Sequence, residues 1–203
     1  MAKTKKSAST KKKITTELPM YLQPKIKKPI EYMKKSFKKN KKEYVKFLKS
    51  IDKEKLKIRG LNGLAVGLNK KAFKAIDCLS CANCCKTMTP TYTKTDVKRI
   101  SKHLGMSVHQ YHEKYLEKDK TGDYMNKLQP CQFLKKDNKC SIYAVRPKDC
   151  SGFPHTQSKD FKQFIPDTHI QNIEYCPITM HVVENMYDIV IRKGMTNVTA
   201  KNA

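Results

Sequence analysis

Eight cysteines fall between residues 78 and 176, in the order Cys78-x2-Cys81-x2-Cys84-Cys85, then Cys131-x8-Cys140-x9-Cys150, then Cys176-Pro177. Single cysteines are often small buried hydrophobes, but four within eight residues need another reason. Thiolate is a soft ligand that suits zinc, copper(I) and iron–sulfur clusters and disfavours magnesium and calcium. A gap of two residues lets two sulfurs of one tight turn reach the same metal without strain. Three such cysteines closed by a distant fourth can surround a cluster. Cys78, Cys81, Cys84 and Cys176-Pro177 partly echo the bacterial ferredoxin run, whose last cysteine precedes a proline. Zinc also fits the number, since eight sulfurs make two closed four-thiolate sites. The wide later spacings depart from the two short pairs usual there. Adjacent Cys84 and Cys85 point in different directions and rarely serve one tetrahedral ion, so one of them is expected to bind a second metal, bridge or stay free. The candidate ligands are therefore Cys78, Cys81, Cys84, Cys85, Cys131, Cys140, Cys150 and Cys176. The cofactor is expected to be an iron–sulfur cluster or zinc, with metal-free thiol chemistry as the third reading.

Charge divides the chain. Residues 1–77 hold 24 Lys and Arg against 6 Asp and Glu, a net of +18, while residues 78–203 hold 19 against 12, a net of +7. This predicts a basic arm joined to a folded unit. Residues 1–24 are Lys, Ser, Thr and Ala with little to bury, and read as disordered. The Lys-rich start lacks the apolar stretch of a signal peptide, and no run of 18 apolar residues exists to span a membrane. The expectation is a reducing cytoplasm, where thiols stay free. The arm, residues 1–52, is expected either to keep the chain soluble, to grip nucleic-acid phosphates, or to lie on an acidic membrane surface.

Apolar periodicity places the helices. Ile30, Met33, Phe37, Tyr44, Phe47, Leu48 and Ile51 recur at spacings that share one helical face, with lysines around the rest. This basic amphipathic helix breaks near Gly60, and a short apolar piece, Leu64 to Leu68, leads to the first cysteine. Thr95 and Ser107 are candidate caps of two short helices. Gly122-Asp123 reads as a turn, and Phe133 to Tyr143 as a short hairpin or loop. Pro147, Gly152, Pro154 and Pro166 predict irregular chain up to Cys176. Pro177 suits the first turn of a last helix that buries Met180, Val183, Met186, Tyr187 and Val190. The expected architecture is mostly α: a small metal-organised helical domain with irregular loops over 77–192, a basic disordered and helical arm before it (1–24 and 25–76), and a frayed tail over 193–203.

The motifs carry a resemblance. Cys78-x2-Cys81-x2-Cys84-Cys85, Cys131-Gln132-Phe133-Leu134, Cys140-Ser141-Ile142-Tyr143, Arg146-Pro147 and Cys150-x2-Phe153-Pro154 resemble the bacterial CxxCxxCC cysteine-cluster family, often called YkgJ-like and described as a zinc- or iron-chelating domain. The resemblance covers about residues 77–180. It implies metal chelation and assigns no reaction. A flagellin lysine methylase resembles the same signature, which adds protein methyl transfer as an analogy. The family often has Gly after the second cysteine, where this chain has Ala82, and Arg after the R-P-x-x-C cysteine, where it has Ser151. Ala82 implies that the first turn does without a positive φ.

Arg146, four residues before Cys150, could donate to thiolate sulfur and offset the charge of a four-thiolate site. Tyr143 and Phe153 read as walls. His155 is an alternative ligand, while the other histidines read as ordinary ones, and Met180 and Met186 as core. The expected function is metal binding in a structural or electron-transfer role. The alternatives are an enzyme that uses the cluster for redox or methyl transfer, and a nucleic-acid-binding module on a metal scaffold.

Overall fold

The structure, a computed structural model, describes residues 25–198, and the tail expected over 1–24 lies outside the described residues. In chain order the elements are α1 (Pro29–Asp52), α2 (Leu61–Ala75), α3 (Cys78–Cys81), α4 (Asn83–Thr87), α5 (Lys94–His103), α6 (Val108–Tyr115), β1 (Leu116–Lys118), β2 (Tyr124–Asn126), α7 (Lys148–Gly152), α8 (Ile170–Tyr175) and α9 (Pro177–Tyr187). The fold is mostly α, and the one sheet among the described residues is the antiparallel hairpin β1–β2. No helix of the described residues is long and apolar enough to cross a membrane.

α9 is the centre of the larger core. Its residues from Pro177 to Val183 are all buried, so it has partners on every side. α1 lays its predicted stripe against it: Met33, Tyr44, Phe47, Leu48 and Ile51 are all buried. A carboxylate fixes the register of this contact. Glu184 of α9 accepts hydrogen bonds from the hydroxyls of Tyr32, Ser36 (2.7 Å) and Tyr44 (3.2 Å), all on α1. α2 is longer than the apolar piece the sequence suggested. Gly63 and Gly67 weaken helix propensity, but Leu64, Ala65, Leu68 and Ala72 recur on one face and are buried in the same core. That packing outweighs propensity. α8 completes the layer around α9.

A second, smaller cluster holds α5 and α6 to the hairpin through Tyr92, Val97, Ile100, Tyr111, Leu116, Phe133 and Ile142. α5 is capped by Thr93 rather than Thr95. Thr93 accepts from the Asp96 amide while Asp96 accepts from the Thr93 amide, a reciprocal pair that Thr95 has no partner to match. Ser107 caps α6 as expected, in the same way with Gln110. The tail expected to fray from 193 is instead tied down as far as Val198. The amide of Arg59 donates to Thr196 O (2.8 Å), that of Val198 donates to Arg59 O (2.9 Å), and the Val198 side chain is buried.

Candidate metal centre

Eight free thiols gather where the two clusters meet. The first four are delivered by α3 and α4, separated by a single residue. Asp77 caps α3 by accepting from the Leu79 amide. Ala82 then takes φ +45°, which breaks the helix and swings Cys84 and Cys85 away from the axis that carries Cys78 and Cys81. This corrects the expectation drawn from Ala82: the turn is left-handed, and alanine occupies it although glycine would fit it with less strain. One consequence is testable. Ala82→Gly trades relief of that strain against lost methyl burial and added backbone freedom, and should stay within about 0.5 kcal/mol of neutral. Ala72→Gly, at a buried position inside α2, should cost about 1–2 kcal/mol. Urea unfolding midpoints compare the two, and equal losses would show that Ala82 bears no such strain.

Each distant cysteine is drawn in by a hydrogen bond beside it. The Cys131 amide donates to Cys85 O (2.8 Å), which fixes Cys131 against the first cluster. Cys140 follows because the Ser141 amide donates to Phe133 O (2.8 Å) and Leu134 bridges Cys140. The tip of that loop is held to α3 by the Asn138 side chain, which donates to Ser80 O (3.1 Å). Cys150 is placed through its neighbour, since Asp149 accepts from the Thr91 amide (3.1 Å). Cys176 arrives through Asn83, whose side chain donates to Tyr175 O (2.6 Å). It forms the cap of α9, with Pro177 in the first turn, where a missing N–H costs nothing. Asn83, Asn138 and Asp149 were not singled out from the sequence. Nothing in their type or spacing marks them, because their partners are backbone atoms tens of residues away.

The sulfurs line two adjoining cavities. Cys78, Cys81, Cys84 and Cys176 line a pocket of about 20 Å³, enough for one small ion. Cys85, Cys131, Cys140 and Cys150, with the inner sides of Cys78 and Cys84, line a cavity of about 420 Å³. The thiols ring these spaces and do not converge. Among the described residues, no three Cys, His, Asp or Glu side chains stand together as an ion-binding group. Each sulfur hangs on one rotatable bond, Cα–Cβ, whose rotation moves it toward or away from the shared space.

Electrostatics support a cation here. Burial pushes the Cys78 thiol up to about 11, with further repulsion from Cys176, Cys81 and Cys85. Burial raises Cys150 as well, reinforced by Asp149, Cys85, Cys131 and Cys140. Cys84 and Cys85 lie 3.9 Å apart, and the hydrogen bond between them holds Cys85 below its ordinary range and Cys84 above it. Cys176 is raised by burial, while the amides of Thr179 and Ile178 at the start of α9 pull it back. Burial, reinforced by neighbouring thiols, raises most of these groups, and a bound cation would offset that cost. The donor set therefore fits a thiophilic metal.

Arg146 and His155 make their contacts with groups other than sulfur. Arg146 lines the larger cavity and offsets a little of the burial that raises the Cys140 thiol, yet its guanidinium lies over the Tyr143 ring (3.9 Å) and donates to Tyr143 O (2.8 Å). No hydrogen bond from Arg146 to sulfur is formed among the described contacts. His155 is turned away from the sulfurs: its ring stacks on Phe164 (4.9 Å between centroids) and faces Asp149 at 3.4 Å.

Residues 77–176 match the sequence profile of the CxxCxxCC family, described as "Putative zinc- or iron-chelating domain". No curated protein and no solved structure matches the chain significantly.

Proposed function

From the membership of residues 77–176 in the CxxCxxCC family of zinc- or iron-chelating domains, we propose that the chain holds metal in two adjoining four-thiolate sets. One set is Cys78, Cys81, Cys84 and Cys176, and the other is Cys85, Cys131, Cys140 and Cys150. The observation that carries this reading is the way the cavities divide the sulfurs, four lining the small pocket and four lining only the large one. The division also accounts for the Cys84-Cys85 pair, since the two cysteines serve different sets. Bound metal would supply the positive charge that lets these thiols ionise, and would tie the α3–α4 turn to α9 and to the 131–150 segment. Its role in this reading is structural. Zinc and iron–sulfur clusters both accept such donors. Anaerobic purification with elemental analysis and an absorption spectrum separates them: a visible band that bleaches reversibly selects electron transfer, and zinc without a band selects the scaffold.

A second reading concerns α1. Its apolar face is used up against α9, so the membrane option loses the surface it needs. The lysines stand on the outer side of a rod about 36 Å long. Lys35, Lys38, Lys42, Lys46 and Lys49 form an exposed stripe at spacings of three and four. Such a stripe suits a nucleic-acid backbone. Deleting residues 1–52 would remove a wall of the core, so the test uses Lys→Gln changes along the stripe. The logarithm of duplex DNA affinity should fall with the logarithm of salt, at about 0.9 per phosphate contacted. Five Gln substitutions should flatten that slope by several units and leave the metal content unchanged. An unchanged slope would remove α1 as the contact.

A further inference from the structure

Beside the thiol cavity lies a polar bowl of about 500 Å³ lined by Arg99, Arg146, Lys148, Thr95 and Ser151, with Asp96 at its base. Arg146 and Ser151 line both spaces, so the chain from Arg146 to Ser151 forms the partition between them. Three cations face this bowl and one carboxylate underlies it. The carboxylate is already satisfied. Asp96 is buried and accepts from the Thr93 amide (3.0 Å), the Thr93 hydroxyl (2.6 Å), the Arg99 guanidinium (2.6 Å) and the Lys148 amide (3.0 Å). These four donors hold it below the usual carboxylate range against the opposing effect of burial. Its charge balances one cation and leaves the bowl positive.

The cations are also pre-positioned. Arg99 is fixed by Asp96 and by Arg146 O (2.9 Å), and its side chain remains 39% exposed. Arg146 is held over the Tyr143 ring, 3.9 Å from its centroid. Lys148 is exposed, and its ammonium has no carboxylate partner among the described ion pairs. Fixed guanidinium groups match the planar edge of an oxyanion, and a lysine adds a point charge.

We propose that this bowl is an oxyanion-binding subsite for a phosphate or carboxylate group. The inference rests on the polar wall alone and stands apart from the identity of the metal. The oxyanion can be a free inorganic ion. It can equally be the anionic end of an organic molecule whose body crosses the Arg146 partition into the apolar side of the thiol cavity, beside Tyr143 and Phe153.

The test is equilibrium dialysis of radiolabelled inorganic phosphate against the full-length protein as purified, at fixed ionic strength, with phenyl phosphate as competitor. Saturable binding is expected at one site per chain. Lys148→Gln should weaken it about tenfold, the loss of one charge-assisted hydrogen bond. Arg99→Lys, which keeps the charge but loses the fork, should weaken it by less. Lys120→Gln in the β1–β2 turn serves as the control for general lysine attraction and should leave it unchanged, and metal content should be equal in all variants. Phenyl phosphate competing better than phosphate identifies an organic ligand that uses the neighbouring cavity, and equal competition identifies the free anion. Absence of saturable binding, or equal weakening by Lys120→Gln and Lys148→Gln, overturns the proposal.

Discussion

Stripped of metal by a chelator, the chain should lose the order of the segment from Cys78 to about Phe153 and keep the core around α9. The two hydrophobic clusters differ enough to decide this. Among the described residues, the cluster built by α1, α2, α8 and α9 has 22 buried residues, whereas the one built by α5, α6 and the hairpin has 7. Helices of 8 and 10 residues are marginal in water without packing. Binding of structural zinc contributes roughly 10–16 kcal/mol, as much as the whole stability of an ordinary domain. Hydrogen exchange should show protection lost by tens- to hundreds-fold for amides of 94–115 and retained for 177–187. Circular dichroism should report partial loss of helix. If the stripped protein melts at the same temperature with the same protection pattern, the metal is not structural.

Single cysteine substitutions should reveal two sets. Cys78→Ser, Cys81→Ser, Cys84→Ser or Cys176→Ser should each lower bound metal by about half. Cys85→Ser, Cys131→Ser, Cys140→Ser or Cys150→Ser should remove the other half. A pair of changes within one set should cost little more than one change, because a four-coordinate site with one ligand gone is already weak. A pair across the sets, such as Cys84→Ser with Cys85→Ser, should remove nearly all metal. Elemental analysis of the purified variants reads this directly. If all eight single variants lose the full complement, one shared centre exists. If most of them keep the full complement, the cysteines are not the ligands.

Much of the helical layout was legible because it follows from spacing. The α1 stripe, the Ser107 cap, the proline at the start of α9 and the run of α9 core residues are local patterns with local causes. α2 was read short because its glycines argue against helix, and only packing on α9 supplies what propensity lacks. The tail after Gly194 was read as frayed because nothing in its composition reveals that Arg59 receives it. Ala82 was misread for a related reason. Residue type expresses a preference for φ, while the position of Cys84 and Cys85 demands one.

The cysteine sequence by itself determined that the chain carries eight thiols in one segment, that three recur at turn spacing, and that two are adjacent and cannot easily share an ion. These follow from the covalent chain. Which distant cysteine lines which cavity was decided by tertiary structure alone. Cys131, Cys140, Cys150 and Cys176 are brought in by bonds that backbone amides and the Asn83 and Asn138 side chains donate and that Asp149 accepts, with partners far along the chain. A hydrogen bond between remote groups leaves no period and no motif in the sequence, so the partition of the sulfurs becomes visible only when the chain is folded.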